Sequence, residues 1–148
     1  MKALRLLAAP VLIFTMAVSA FAGEWMTDHK AALALSKKTG KPILADFTGS
    51  DWCGWCIRLK KEVFSTPEFN AWAKKNVILL ELDYPHTKPQ SAAIKAQNAK
   101  LGEQYRIEGY PTILFLNSSG KVLGQYGYDE GGPKVWTKKA EAMLKGKK

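Results

Sequence analysis

Lys41-Pro42-Ile43-Leu44-Ala45-Asp46-Phe47-Thr48-Gly49-Ser50-Asp51-Trp52-Cys53-Gly54-Trp55-Cys56 contains both cysteines of a 148-residue chain and decides how the rest is read. Residues 42–48 form a compact apolar run bounded by turn formers, which predicts a short buried strand, and Gly49-Ser50-Asp51 is the loop that leaves it. From Cys53 onward the positions Cys56, Leu59, Val63 and Phe64 follow helical spacing. Both cysteines therefore stand at a strand-to-helix corner. Residues three apart on a helix face the same way, so the pair can close a disulfide with modest local adjustment. Cys53 falls at the helix N-terminus, where unpaired N–H groups and the helix dipole favour an anion, and the thiolate is the attacking species in thiol chemistry. Cys56, one turn further in, is expected to be the more shielded and suits the resolving role.

Three other uses of two cysteines compete with redox exchange. A zinc site needs two more ligands, and His29 and His86, the only histidines, flank the motif distantly instead of following it at finger-like spacing. A purely structural disulfide would close a very short loop and restrain little of the unfolded chain. Inert core thiols do not suit an exposed corner. The redox reading is favoured, with no metal and no dissociable cofactor expected.

Working outward, Asp28 can cap a helix with Ala31, Leu33 and Leu35 on its apolar face, stopped by Gly40 and Pro42. Beyond the motif, Thr66 and Pro67 start a second helix that runs to about Lys75. Val77 to Asp83 is an apolar run broken by one acid, Glu81, and reads as a central strand. A helix follows from about Gln90 to Tyr105; then come Gly109-Tyr110-Pro111, a strand over 112–117, a turn at Ser118-Ser119-Gly120, a partner strand over 121–126, and a last helix over 133–145. An edge strand near Glu24 is weakly signalled. This order predicts an α/β domain with a central mixed sheet and helices on both faces.

At the N-terminus, Lys2 and Arg5 precede an apolar run from Leu6 to Val18 that ends in Ser19-Ala20-Phe21-Ala22. This predicts a secretory signal over residues 1–22 and a mature domain over 23–148; the run is shorter than the ~20 apolar residues of a membrane span. A retained anchor is the alternative. Without Lys2 and Arg5 the 22 basic residues fall to 20 against 13 acids, a charge of +7. The lysines are scattered and form no aromatic-basic strip, so no nucleic-acid partner is expected. No phosphate-binding glycine loop and no Ser/His/Asp arrangement is visible.

The run from Lys41 to Cys56, followed after the third helix by Gly109-Tyr110-Pro111-Thr112, resembles the secreted or periplasmic members of the thioredoxin superfamily with a W-C-G-W-C motif. The resemblance covers nearly all of residues 23–148 and implies the thioredoxin-like fold. It implies Cys53 as nucleophile, Cys56 as resolving thiol, and Pro111 as a cis-proline facing the pair, with Tyr110 beside it offering backbone to a bound peptide. Asp46 matches the family's buried acid that shuttles a proton for the resolving cysteine; a solvated strand end is its alternative. Two departures stand out: the loop before Cys53 is one residue longer than in thioredoxin, and Trp55 replaces the proline or histidine of better-known relatives. Trp52, Trp55 and Tyr110 are candidates for an apolar docking surface around the cysteines.

The expected activity is thiol:disulfide exchange on protein cysteines outside the cytoplasm, leaning to reduction or isomerisation, with a membrane thiol-electron transporter as redox partner and a monomeric state. A client-binding, chaperone-like module without turnover is the alternative, and a thiol peroxidase lacks the peroxide-activating sequence around the reactive cysteine.

Overall fold

The structure, a computed structural model, describes residues 23–146. The expected signal over residues 1–22 lies outside the described residues. Helix α1 (His29–Thr39) begins at Asp28, whose carboxylate accepts the Ala31 N–H, and ends on Gly40, whose φ of 72° closes it in the left-handed conformation that glycine adopts freely. Strand β1 (Ile43–Thr48) leads to helix α2 (Gly54–Leu59), which widens into a π-helical turn over Lys60–Phe64 where the Ser65 N–H reaches back to the Lys60 carbonyl. Helix α3 (Pro67–Asn76) is capped by Thr66 and opened by a proline. Then follow β2 (Ile78–Asp83), α4 (Ala92–Gln104) capped by Ser91, β3 (Thr112–Leu116), β4 (Val122–Tyr126) and α5 (Gly132–Leu144).

The four strands lie in the order β2-β1-β3-β4; β1 pairs parallel with β2 and antiparallel with β3, and β4 pairs antiparallel with β3. Alternation along each strand divides the core. Leu44, Leu79, Ile113 and Phe115 pack with Leu59, Phe69 and Trp136 on the face covered by α2, α3 and α5. Ile43, Ala45, Phe47, Leu80 and Leu114 pack with Ala32 and Leu101 on the face covered by α1 and α4. This mixed sheet with helices on both faces is the architecture expected from the sequence.

Two local expectations need correction. Strand β2 is an edge strand, not a central one; it is apolar because helices bury both its faces, and residue Met26 covers its open side by exchanging bonds with Leu79 and Glu81. The weakly signalled N-terminal strand is that single bridge. The buried positions of α1 are Ala32 and Ser36, with Ala31 exposed, because the Ser36 hydroxyl is satisfied at 2.6 Å by the Lys41 carbonyl and can turn inward. Among the described residues no helix is long and apolar enough to cross a membrane.

Candidate active site

Strand β1 delivers the chain to the corner, and Gly49 permits the next step. A side chain there would strike the Trp52 indole, so only glycine lets Trp52 fold back over the loop. The indole N–H then donates to the Tyr84 carbonyl at 2.8 Å, its face stacks on His86 at 4.5 Å, and Tyr110 meets it edge-on at 5.7 Å. Asp51 holds the facing loop by accepting the backbone N–H groups of His86, Thr87 and Lys88 and the Thr87 hydroxyl. Those bonds hold the Asp51 carboxyl well below the usual carboxylate range. Neither Asp51 nor His86 was singled out from sequence for this role, since their meeting joins positions 35 apart.

Cys53 and Cys56 are joined in a disulfide with Cα atoms 5.2 Å apart. Cys53 is the cap of α2, its sulfur accepting the Cys56 N–H at 3.2 Å, so the helix end that would stabilise a thiolate is aimed at this sulfur. In the disulfide state both cysteines are nearly closed from water, at 7 % and 5 % exposure. The expected difference in exposure is therefore absent in this state. What separates the two is their surroundings: Cys56 lines a cleft of about 450 Å³ whose wall also includes Asp46, Lys60 and Glu81.

Asp46 is 6 % exposed and its Oδ1 has no hydrogen-bond partner among the described residues, which removes the solvated-strand-end alternative. Burial, reinforced by the neighbouring Glu81, pushes its carboxyl up to about 8 against the opposing pull of Lys60. The longer loop before Cys53 leaves Asp46 and Cys56 on the same cleft. Glu81, paired in register with Asp46, carried a legible signal, being the one acid in its apolar run.

The Tyr110–Pro111 peptide bond is cis. Thr112, the next residue, pairs with Phe47 near the C-terminal end of β1, so Tyr110 and Pro111 sit at the sheet end from which the cysteine loop emerges. The three candidate docking aromatics do not form one patch. Trp52 and Tyr110 touch, whereas Trp55, 55 % exposed, packs instead on Tyr128 at 5.1 Å and beneath the Arg58 guanidinium at 5.5 Å. Arg58 also covers Tyr128 and binds Glu62 at 2.7 Å, and the Tyr128 hydroxyl donates to Glu62 at 2.7 Å. Arg58 is thus committed to this cluster. Nothing in the local pattern marks Tyr128, which arrives from the loop after β4.

The sequence matches the Thioredoxin-like family over residues 24–118. It is 34 % identical over 122 residues to the disulfide bond reductase DsbH of Chlamydia pneumoniae, covering 82 % of this chain and 73 % of that protein. It is 32 % identical over 110 residues to the thioredoxin-related protein DsbJ of the same organism, covering 72 % of this chain but only 32 % of that longer protein. Among solved structures a DsbH oxidoreductase superposes with a TM-score of 0.80 at 32 % identity, covering 93 % of this chain and 95 % of that one.

Proposed function

This chain belongs to the thioredoxin-like family of thiol:disulfide oxidoreductases, and from that premise we propose that it works outside the cytoplasm as a reductase of protein disulfides. The observation that carries the reading is the Cys53–Cys56 disulfide built onto the capped end of α2, with Cys56 opening on the cleft of Asp46. The 34 % identity to a protein named a disulfide bond reductase supports reduction over isomerisation. The apolar run before Gly23 supports a site outside the cytoplasm.

In the reductive direction the Cys53 thiolate attacks a client disulfide, forming a Cys53–client bond and expelling one client thiolate. Cys56 gives its proton to the Asp46 carboxylate and attacks the Cys53 sulfur. The Cys53–Cys56 bond forms, the Cys53–client bond breaks, and the second client sulfur leaves with the electron pair. A donor dithiol protein then reverses the sequence: its thiolate attacks Cys53, Cys56 departs as thiolate, and neutral Asp46 returns the proton. The raised affinity of Asp46 for that proton suits the disulfide state, in which the acid waits to protonate the departing Cys56. Tyr110 beside Pro111 is assigned the backbone of the client groove, and Trp52 and Trp55 its two apolar walls.

The test is turnover with a protein disulfide and a dithiol donor. Cys53→Ser is expected to abolish reduction, and Cys56→Ser to capture clients as stable mixed disulfides. Full multiple turnover by Cys56→Ser would overturn the assigned roles. A wild-type protein that holds clients without reducing them would favour the chaperone-like alternative.

A further inference from the structure

Lysines that are scattered through the sequence converge at one end of the fold. Strands β1 and β2 both start there, β3 ends there and β4 leaves from it, so it is the end opposite the cysteine loop. Helices α1 and α3 each bring two lysines to it in their last turns, Lys37 and Lys38 from one, Lys74 and Lys75 from the other. Lys41 precedes β1, and Lys145 follows α5. Lysines in a last turn ordinarily answer the helix dipole. Here the end of α3 is already met, because Lys41 Nζ donates to the Lys74 carbonyl at 2.7 Å. Lys37, Lys38, Lys74, Lys75 and Lys145 are exposed and form no ion pair among the described residues. Glu24, beside Gly23, and Glu141 in α5 are the acids that accompany them, and Glu141 already accepts the Trp72 indole N–H at 2.8 Å.

Three further observations mark this end. A cleft of about 1130 Å³ opens between the ends of α1 and α5, with Pro42, Leu123 and Leu144 in its wall beside Lys41 and Lys145. Apolar walls beside ammonium groups suit a ligand that is itself part apolar and part anionic. The chain also enters here. Gly23 lies against the Lys74 side chain, so the apolar run that precedes it in the sequence joins the domain at the basic end. Carboxylates gather at the other end, where Asp51 and Asp83 flank the cysteine loop and Asp129 and Glu130 lie between β4 and α5. A molecule with cations at one end and carboxylates at the other is oriented by a negatively charged surface.

We propose that this basic end is a docking surface for an anionic lipid bilayer, which holds the domain upright with the Cys53–Cys56 pair pointing away from the membrane. A field of phosphate headgroups demands no fixed geometry of its partner, which suits exposed ammonium groups on long flexible stems. Each lysine near such a surface strengthens binding about fivefold. Strand β1, six residues long at ~3.3 Å per residue, then sets the cysteine loop about 20 Å above the lipid, open to water. Cleavage before Gly23 would leave its amine as a further cation at this end, and retention of the apolar run would tether the same end. Either fate of residues 1–22 gives one orientation.

Residues 23–146 contain the whole sheet and the helices on both its faces, so the chain from Gly23 to Lys148 is the protein to test, free of the apolar run. The experiment is co-sedimentation with vesicles of equal parts phosphatidylglycerol and phosphatidylcholine. Binding is expected at low salt, with release in about 0.5 M NaCl and none to phosphatidylcholine alone. Lys74→Gln with Lys75→Gln should weaken binding by about tenfold or more. Lys61→Gln with Lys134→Gln removes the same charge from the cysteine end and should change it by less than about twofold, since those positions lie beyond the screening length from the docked lipid. Reduction of a small soluble disulfide by the Lys74 and Lys75 variant should match wild type, showing that it is folded. On vesicles, Cys53 of the reduced protein should react with a bulky maleimide as fast as in solution. Absence of binding, equal losses in the two double variants, or shielding of Cys53 on vesicles would overturn the proposal. Tighter binding to duplex DNA or polyglutamate than to the vesicles would overturn it too, in favour of a macromolecular polyanion.

Discussion

At residue 46 the same burial that raises the carboxyl's affinity for its proton also opposes folding. In the unfolded chain the Asp46 carboxyl titrates near 3.8, and in the folded protein near 8, so between those values the folded state holds a proton that the unfolded state releases. The raised folded value means that this group's contribution to stability is full below about pH 4 and is lost as pH rises through about 8. Asp46→Asn removes the penalty. It should therefore gain stability over wild type between pH 5 and 9, on the order of 1.4 kcal/mol per pH unit crossed below the folded midpoint. Urea midpoints at the two pH values provide the measurement, and parallel profiles for the two proteins would count against a buried, neutral Asp46. Trp55 is a second single-residue lever, because an indole packed on Tyr128 and Arg58 offers the Cys53 sulfur no positive charge. Trp55→His should lower the Cys53 thiol pKa and make the pair more oxidising, read by thiolate absorbance and by equilibrium with glutathione. A potential unchanged or lowered by histidine would contradict this.

Two elements brace the site from opposite sides. The loop after β2 depends on Asp51 for its backbone bonds and on Trp52 for the face that stacks on His86. Asp51→Ala should release it: amide exchange at Thr87 and Lys88 rises and the Trp52–His86 contact is lost. If the loop is a client wall, KM for a protein disulfide rises while reactivity towards a small disulfide is kept. Equal changes with both substrates would mean that Asp51 acts on the cysteines instead. On the other side, the loop after β4 reaches α2 through Tyr128 and Glu62, and Glu62 is held ionised by Arg58 and by the Tyr128 hydroxyl. These contacts join loops to the active-site helix without adding bulk to the core.

The whole molecule is closed by α5, which lies beyond the 24–118 stretch matched by the family. Its Trp136 is fully buried, meets Phe64, Phe69, Trp72, Phe115 and Tyr126, and donates its indole N–H to the Gly127 carbonyl at 2.9 Å. Removing it opens a large cavity and leaves that carbonyl unpaired, so Trp136→Ala should cost about 3–5 kcal/mol in chemical denaturation, a large share of the stability of an ordinary domain. A chain cut after residue 118 should fail to fold cooperatively for the same reason. Cooperative unfolding of the cut chain with a native-like midpoint would show that the first three strands and four helices form a core without α5.

Local sequence patterns were enough to locate the cysteine pair, the capped helices and the strands of this protein. A cap is a side chain three residues from its N–H, a strand is a period of two, and Cys53 and Cys56 meet across one helical turn; all lie within a few positions of one another. The mixed sheet with helices on both faces followed from element order. Whether Asp46 was buried or at a solvated end stayed open, since a carboxylate in an apolar run fits both until α2 is seen to cover it. Strand order was misread at β2, because residues 77–83 are equally apolar in a central strand and in an edge strand buried on both faces. Lys60 beside Glu81, Tyr128 beside Glu62, and Asp51 beneath the loop at 86–88 were set only by tertiary structure. Each joins parts of the chain 21 to 66 positions apart, and such meetings depend on strand pairing and helix docking, which no local periodicity encodes.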